Sequence, residues 1–316
     1  MSIIQGVGSG EVSTGFYPFS ISQSLRFNDD DSAFLSRTPA SASNRKTFTF
    51  SCWFKYSHGT GQNIWTAGDD VNNRTHIDFN SDGSFQIESK SGGSEQFKLE
   101  GTPLFRDPGA WYNLVWAVDT TASTASDRIK AYINGSQVTF SSANYGSQDI
   151  DTAINNTVLH VIGKRSYADS NYFNGYLTEI NFIDGQALGP SSFGETKNDI
   201  WVAKNTSSLT FGTNGFRLQF LQSGTGTGSS STVGADTSGK GHHFTSSGIA
   251  SEDQIPDTPT KNWPTWNPLD KNTAITLSDG NLFASSSTTD DGLRANIAIP
   301  HTGKWYWEVT PTVKPN

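Results

Sequence analysis

Residues 172–188 read Y-F-N-G-Y-L-T-E-I-N-F-I-D-G-Q-A-L, and their two-residue alternation constrains the fold more than any other stretch. Tyr176, Thr178, Ile180 and Phe182 are set on one face, Leu177, Glu179, Asn181 and Ile183 on the other. A period of two marks a β-strand with two distinct sides. Gly175 opens this strand and Asp184-Gly185 closes it in a turn. Ile129–Ile133 alternates in the same way and runs into Asn134-Gly135, a strong hairpin signal. Thr47–Tyr56 is longer: Phe48, Phe50, Cys52, Phe54 and Tyr56 point one way, and Thr47, Thr49, Ser51, Trp53 and Lys55 the other. Trp111–Asp119 gathers Tyr112, Leu114, Trp116 and Val118 on a common face.

Further strands are expected at Ser24–Phe27, 64–67, 75–79, 84–88, 96–100 and 158–162, with Asp82-Gly83 as a tight turn between two of them. No window holds a helical period, and 190–195 has room for one helical turn. Short strands with turn signals every ~8–12 residues predict an all-β fold, an antiparallel jelly-roll β-sandwich. Its aromatic faces would meet across a core ~10 Å thick and its polar faces would meet solvent. Composition agrees: aromatics are 12% of the 316 residues while apolar residues reach only 34%. Rings burying ~150–250 Å² each must therefore supply much of the core. Charged residues are 16%, against a usual ~25%, which leaves Ser, Thr, Asn and Gly to cover the surface.

The length allows about two domains. Residues 1–20 are Gly- and Ser-rich with Phe16, Tyr17 and Phe19 around Pro18. They read as an N-terminal arm, either a disordered leader or a segment that orders only against a partner. Residues 21–250 form the sandwich with its connector strands. Within them 199–211 is a β-rich connector, and the Gly/Ser/Thr tract 223–231 is a flexible linker by composition. One long hairpin over 215–248 fits the same residues. Residues 251–272 read as a proline-rich linker, with prolines at 256, 259, 264 and 268 beside Trp263 and Trp266. Residues 273–316 alternate again at 274–277, 281–284, 293–299 and 304–310, the start of a second β-sandwich.

The net charge of −8 and the lack of a basic run argue against nucleic acid as a partner. No apolar run approaches ~18 residues, so membrane insertion is not expected. The opening M-S-I-I-Q-G-V-G-S-G has no basic n-region and does not read as a signal peptide. Cys52 is the only cysteine, which excludes an intrachain disulfide, and it lies on an apolar strand face as a small hydrophobe. These features are those of a chain assembled in a reducing cytoplasm.

Several motifs recur in a familiar order: S-L-R-F at Ser24–Phe27, F-T-F-S-C-W-F-K at 48–55, W-Y-N-L-V-W at 111–116, A-Y-I-N-G at 131–135 and the strand opened by Gly175. Together they resemble a laminin-G-like, concanavalin A-like domain running from about Leu25 to Glu195. G-K-W-Y-W-E-V-T at 303–310 resembles the opening strand of a SPRY domain, of which only the beginning would be present. The order G-A-D-T-S-G-K-G-H-H-F, D-T-P-T-K-N-W-P-T-W-N-P-L, G-K-W-Y-W-E-V resembles the module order of tailed-phage virion proteins. That resemblance implies a tail-fibre subunit, often a homotrimer, that contacts other virion proteins and presents lectin-like sandwiches to a bacterial surface glycan. It implies location in the virion after assembly in the host cytoplasm. Two rivals stand beside it: a structural capsid-decoration or tail-scaffold protein, and a polysaccharide depolymerase.

For an enzyme, retaining glycoside hydrolysis needs two carboxyls ~5–5.5 Å apart. The E-x-D-x-x-E motif of laminarinase-like proteins is not present, and Glu88, Glu100, Glu179 and Glu308 each stand alone in the strand pattern. The expectation is a non-enzymatic protein without a cofactor. Laminin-G-like domains often bind calcium at a rim, which implicates Asp29, Asp30 and Asp31, or Asp69 and Asp70; such clusters equally cap turns. Glycan binding needs an aromatic platform beside polar groups. Trp53, on the polar face of its strand, and Trp65, Tyr167 and Tyr172, beside loops, are the candidates. Each is also of the kind that fills cores and interfaces.

Overall fold

The computed structural model describes residues 2–4, 15–57, 61–103, 105–288 and 290–312, with backbone only at 2–4. Two antiparallel sheets of eight strands carry the fold. The first runs Ser136–Gln137, Ile129–Ile133, Trp111–Asp119, Thr47–Tyr56, Gly175–Asp184, Ser24–Phe27, Gln254–Ile255, with Phe216–Leu218 also paired to Gly175–Asp184. The second runs Phe140–Asn144, Ser94–Gly101, Phe85–Ser91, Asn73–Phe79, Gln62–Asp70, His160–Ile162, Phe34–Arg37, Thr245–Ser247. Sequence neighbours on one sheet are joined by short turns, and the chain crosses between sheets elsewhere, as a jelly roll requires.

The alternation fixes which side chains meet between the sheets. Phe48, Phe50, Cys52, Phe54 and Tyr56 from the first sheet join Trp65, Ile77, Phe79, Ile87, Phe97 and Leu99 from the second in one buried core. Phe50 and Trp65 stack at 4.5 Å, Tyr56 and Phe79 at 4.6 Å, and Phe48 meets Trp116 edge-on at 5.3 Å. Offset and edge contacts of this kind add ~0.5–1.5 kcal/mol each beyond area burial. Burial pushes the Cys52 thiol well above its ordinary range, so it is an inert apolar group.

Three expectations are corrected. The alternation of Gly175–Asp184 is broken by a bulge between Thr178 and Asn181, where the pairing to Thr47–Tyr56 shifts register. Glu179 is the extra residue, with φ at +46°. The core side is therefore Leu177, Ile180 and Phe182, while Tyr176 and Ile183 face the opposite way. The outer face of the first sheet is not in solvent: Thr49, Ser51, Trp53 and Lys55 are all buried. Phe193 and Phe211 pack on Val115 and Ile183, while Ile21 and Ala203 cover Trp53, Trp111 and Tyr176. Residues 215–248 are not one hairpin, because Phe216–Leu218 adds to the first sheet and Thr245–Ser247 to the second. Phe216, Leu218, Phe220, Val233 and Phe244 close that end of the core.

The proline-rich stretch lies along the covered sheet. Lys55 Nζ, fully buried, reaches Asp257 Oδ2 at 3.0 Å, Asn262 Oδ1 at 2.9 Å and the Trp263 carbonyl at 2.7 Å. Trp111 Nε1 donates to Asp257 Oδ1 at 3.1 Å. Beyond it Ile275–Ser278 and Phe283–Ser286 form a ladder that continues through Ser2–Ile4 to Glu308–Thr310. The strand expected over 304–310 covers only Glu308–Thr310, and Trp305, Tyr306 and Trp307 stay exposed. In the N-terminal arm Phe19 packs beside Ile21, and Lys197 lies 5.5 Å over the Phe16 ring; residues 5–14 lie outside the described residues.

Candidate functional site

The second sheet has the more open outer face. On Asn73–Phe79, Ile77 and Phe79 enter the core, so Arg74, His76 and Asp78 lie on the other side. On Phe85–Ser91, Phe85 and Ile87 enter the core and leave Gln86 and Glu88 outside. Register aligns His76 with Glu88 and Lys98, and Asp78 with Gln86 and Glu100. Two polar rungs across three strands thus meet on one surface.

At its centre, His76 Nε2 lies 3.5 Å from Glu88 Oε2 and 3.7 Å from Asp78 Oδ2. Burial holds the imidazole down at about 3, reinforced by Arg74, Arg165 and Lys90, so at neutral pH it is uncharged and these contacts are not ion pairs. Glu88 is instead neutralised by Arg74, whose Nη2 donates to Oε2 at 2.5 Å, and by Lys90 at 3.5 Å from Oε1. Burial raises the Asp78 carboxyl to about 7, with Arg165 pulling the other way and Glu88 adding to the rise. Gln86 Nε2 donates to Asp78 Oδ1 at 3.4 Å. Asp78 thus sits near the boundary between acceptor and donor at neutral pH.

The loop between His160–Ile162 and Gly175–Asp184 overhangs this face. It is pinned by Ser166 Oγ donating to the Gly68 carbonyl at 2.7 Å and by Lys164 pairing with Asp169. It brings Tyr167 between two cations, with the Arg74 and Arg165 guanidinium carbons 5.5 and 5.9 Å from the ring centre. Loop and sheet enclose an open polar cleft of about 740 Å³ lined by Asp78, Asn80, Gln86, Arg165, Asn171 and Tyr172. Such a lining offers fork-shaped amide and guanidinium donors, carboxyl acceptors and one ring, the mixture a polyhydroxylated ligand needs.

Tyr172 borders this cleft and Tyr167 stands beside it, but Trp53 and Trp65 are elsewhere. Trp65 is fully buried against Phe50, and Trp53 is buried under the segments that cover the first sheet, so neither offers a face to a ligand. The aspartates of the two loops do not converge. Asp31 Oδ2 accepts from Asn28 Nδ2, and Asp29 Oδ1 from Asn174 Nδ2 at 2.6 Å. Asp30 offers its backbone N–H to Asn28 Oδ1 at 3.4 Å. Asp70 Oδ1 accepts the Asn72 and Asn73 backbone N–H groups, closing the turn beside exposed Asp69. Among the described residues no three His, Cys, Asp or Glu side chains are arranged to hold a metal. Asp78, Gln86 and Arg165 were not singled out by the sequence pattern. The available signal was the outward set Arg74, His76 and Asp78 between apolar Ile77 and Phe79, three titratable side chains on one face of one strand.

Residues 28–192 match the family described as the concanavalin A-like lectin/glucanases superfamily. No curated protein is matched at the sequence level. Among solved structures, the chain is similar to a SAP-like pentraxin from Limulus polyphemus, at 17% identity over 54% of this chain and 79% of that one, TM-score 0.39. A putative carbohydrate binding protein from Bacteroides ovatus is similar at 14% identity over 74% and 60%, TM-score 0.44. The CBM40 of Ruminococcus gnavus IT-sialidase is similar at 11% identity over 55% and 92%, TM-score 0.36. The match at 28–192 takes in most strands of both sheets and every residue of the cleft, and the chain belongs to the concanavalin A-like lectin/glucanases superfamily.

Proposed function

We propose that the chain is a non-enzymatic glycan-binding protein of a tailed-phage appendage of tail-fibre type, touching a bacterial surface glycan through the cleft on its second sheet. The observation that supports glycan binding is the cleft itself: polar, open, and walled by Asp78, Gln86, Arg165, Asn171 and Tyr172 within the family domain. Individual hydrogen bonds there contribute ~0.5–1.5 kcal/mol net. A homotrimer would multiply such weak contacts through avidity. The appendage role rests on the resemblance of module order in residues 234–309.

Antibody against this chain should block adsorption of the phage and, in gold labelling, mark the tail tip. Dense labelling over the head would instead favour a decoration protein. A depolymerase has one observation in its favour, a carboxyl raised to about 7 on Asp78 with Glu88 on the adjoining strand. Against it, Glu88 is buried and held by Arg74. Host polysaccharide incubated with the purified protein should keep its chain length; shortening would overturn the non-enzymatic reading.

A further inference from the structure

We propose that the cleft selects sugars bearing a carboxylate, gripped by the Arg165 guanidinium; this rests on the glycan-binding reading above. The cations of this face differ in one respect. Arg74 is committed to Glu88 and to the Val71 carbonyl, Lys90 to Glu88, and Lys98 to Glu100 at 2.9 Å. Arg165 is not committed: among the described residues its guanidinium makes no hydrogen bond and no ion pair, and its Nε, like that of Arg74, is buried without a partner. Its main chain is fixed, with Arg165 N–H donating to the Ser170 carbonyl at 3.3 Å, and Tyr167 lies against the guanidinium.

A buried donor without a partner is costly, and a charged one more so. Sugar hydroxyls can accept from such a group but leave its charge uncompensated. A carboxylate satisfies two parallel N–H groups and neutralises the charge in the same step. The rest of the cleft tolerates an anion. Asp78 is raised to about 7, so near neutral pH much of it carries a proton and can donate. His76 is uncharged, Glu88 is neutralised by Arg74 and Lys90, and burial raises the carboxyl of Asp29 at the rim as well. Asn80, Gln86 and Asn171 bring amide groups to the same space.

The test uses the full chain and polymers matched except at the acid: polygalacturonate, alginate and hyaluronan, each beside its methyl ester, with dextran sulfate as a separate arm. Titration should show at least one acid form bound about tenfold or more tighter than its ester, the scale of one charge-assisted pair. Arg165→Gln should remove that preference without lowering the unfolding temperature, since it relieves an unpaired buried charge, and Arg165→Lys should restore only part of it because lysine lacks the fork. Equal binding of acids and esters would overturn the proposal while leaving glycan binding intact. So would dextran sulfate binding as tightly as the best acid and surviving Arg165→Gln. Failure of every polymer to bind would overturn both this proposal and the glycan reading.

Discussion

Single buried side chains decide how stability varies with pH. Asp78 titrates at about 7 when folded and near ~3.9 when unfolded. Between those values the native state keeps a proton that the unfolded chain has lost, so stability falls as pH rises through the window. His76 and His160, buried and lowered to about 3 and about 4, act in the opposite sense. Each contributes stability that is present above ~6.5 and is lost as pH falls toward the folded value. Asp78→Asn removes the first effect and leaves the others. Its melting temperature should exceed that of the parent by ~2–4 °C or more at pH 8 and match it at pH 4. An equal shift at both pH values would contradict the assignment. None of this was legible in sequence. The strand at Asn73–Phe79 could be seen, but what raises Asp78 is the overhanging loop and the neighbouring strand, joined by pairings the local pattern does not contain.

At the scale of elements, alternation carried the reading where a strand stays regular and misled it where one does not. Thr47–Tyr56 and Trp111–Asp119 place their rings as their period dictates, nine residues of each in continuous register. Gly175–Asp184 does not, because Glu179 bulges out and pairs with Arg217 Nη2 at 2.9 Å and Gln219 Nε2 at 2.7 Å. Those partners lie on a segment nearly forty positions later, beyond any local window. Deleting Glu179 would restore a regular strand with Ile180 and Phe182 still facing the core, but would leave Arg217 buried without its carboxylate. Near-UV circular dichroism should then keep its native form while stability falls by ~3–5 kcal/mol for the unpaired buried charge; loss of the near-UV signal would contradict the bulge. The proline-rich stretch was misjudged for a related reason. Its prolines do not keep it out of ladders, since Gln254–Ile255 and Trp266–Lys271 both pair, and side chains such as Asp257 anchor the part between them on a sheet. Asp257→Ala leaves Lys55 charged and buried, with an expected cost of ~3–5 kcal/mol in denaturant unfolding. Lys55→Met combined with Asp257→Leu should recover most of that loss. If the single variant is as stable as the parent, the segment does not cover the sheet in solution.

The whole molecule is asymmetric about its core. One sheet is roofed by Phe19, Ile21 and the segments that follow Leu188, and the other keeps an open polar cleft under a single loop. The sandwich was legible because aromatic alternation and Asn-Gly or Asp-Gly turns recur in the order a jelly roll needs. Which face stays open was not, since that depends on residues 193–266 folding back across the first sheet. Binding should therefore be confined to the second sheet, although Trp305, Tyr306 and Trp307 expose the larger aromatic surface. The most direct test is a hydrogen-exchange footprint of the full chain with and without a bound surface polysaccharide. Binding in the cleft should bring new protection at 78–86 and 165–172, and none at 302–309. Protection confined to 302–309, with the cleft segments unchanged, would contradict it.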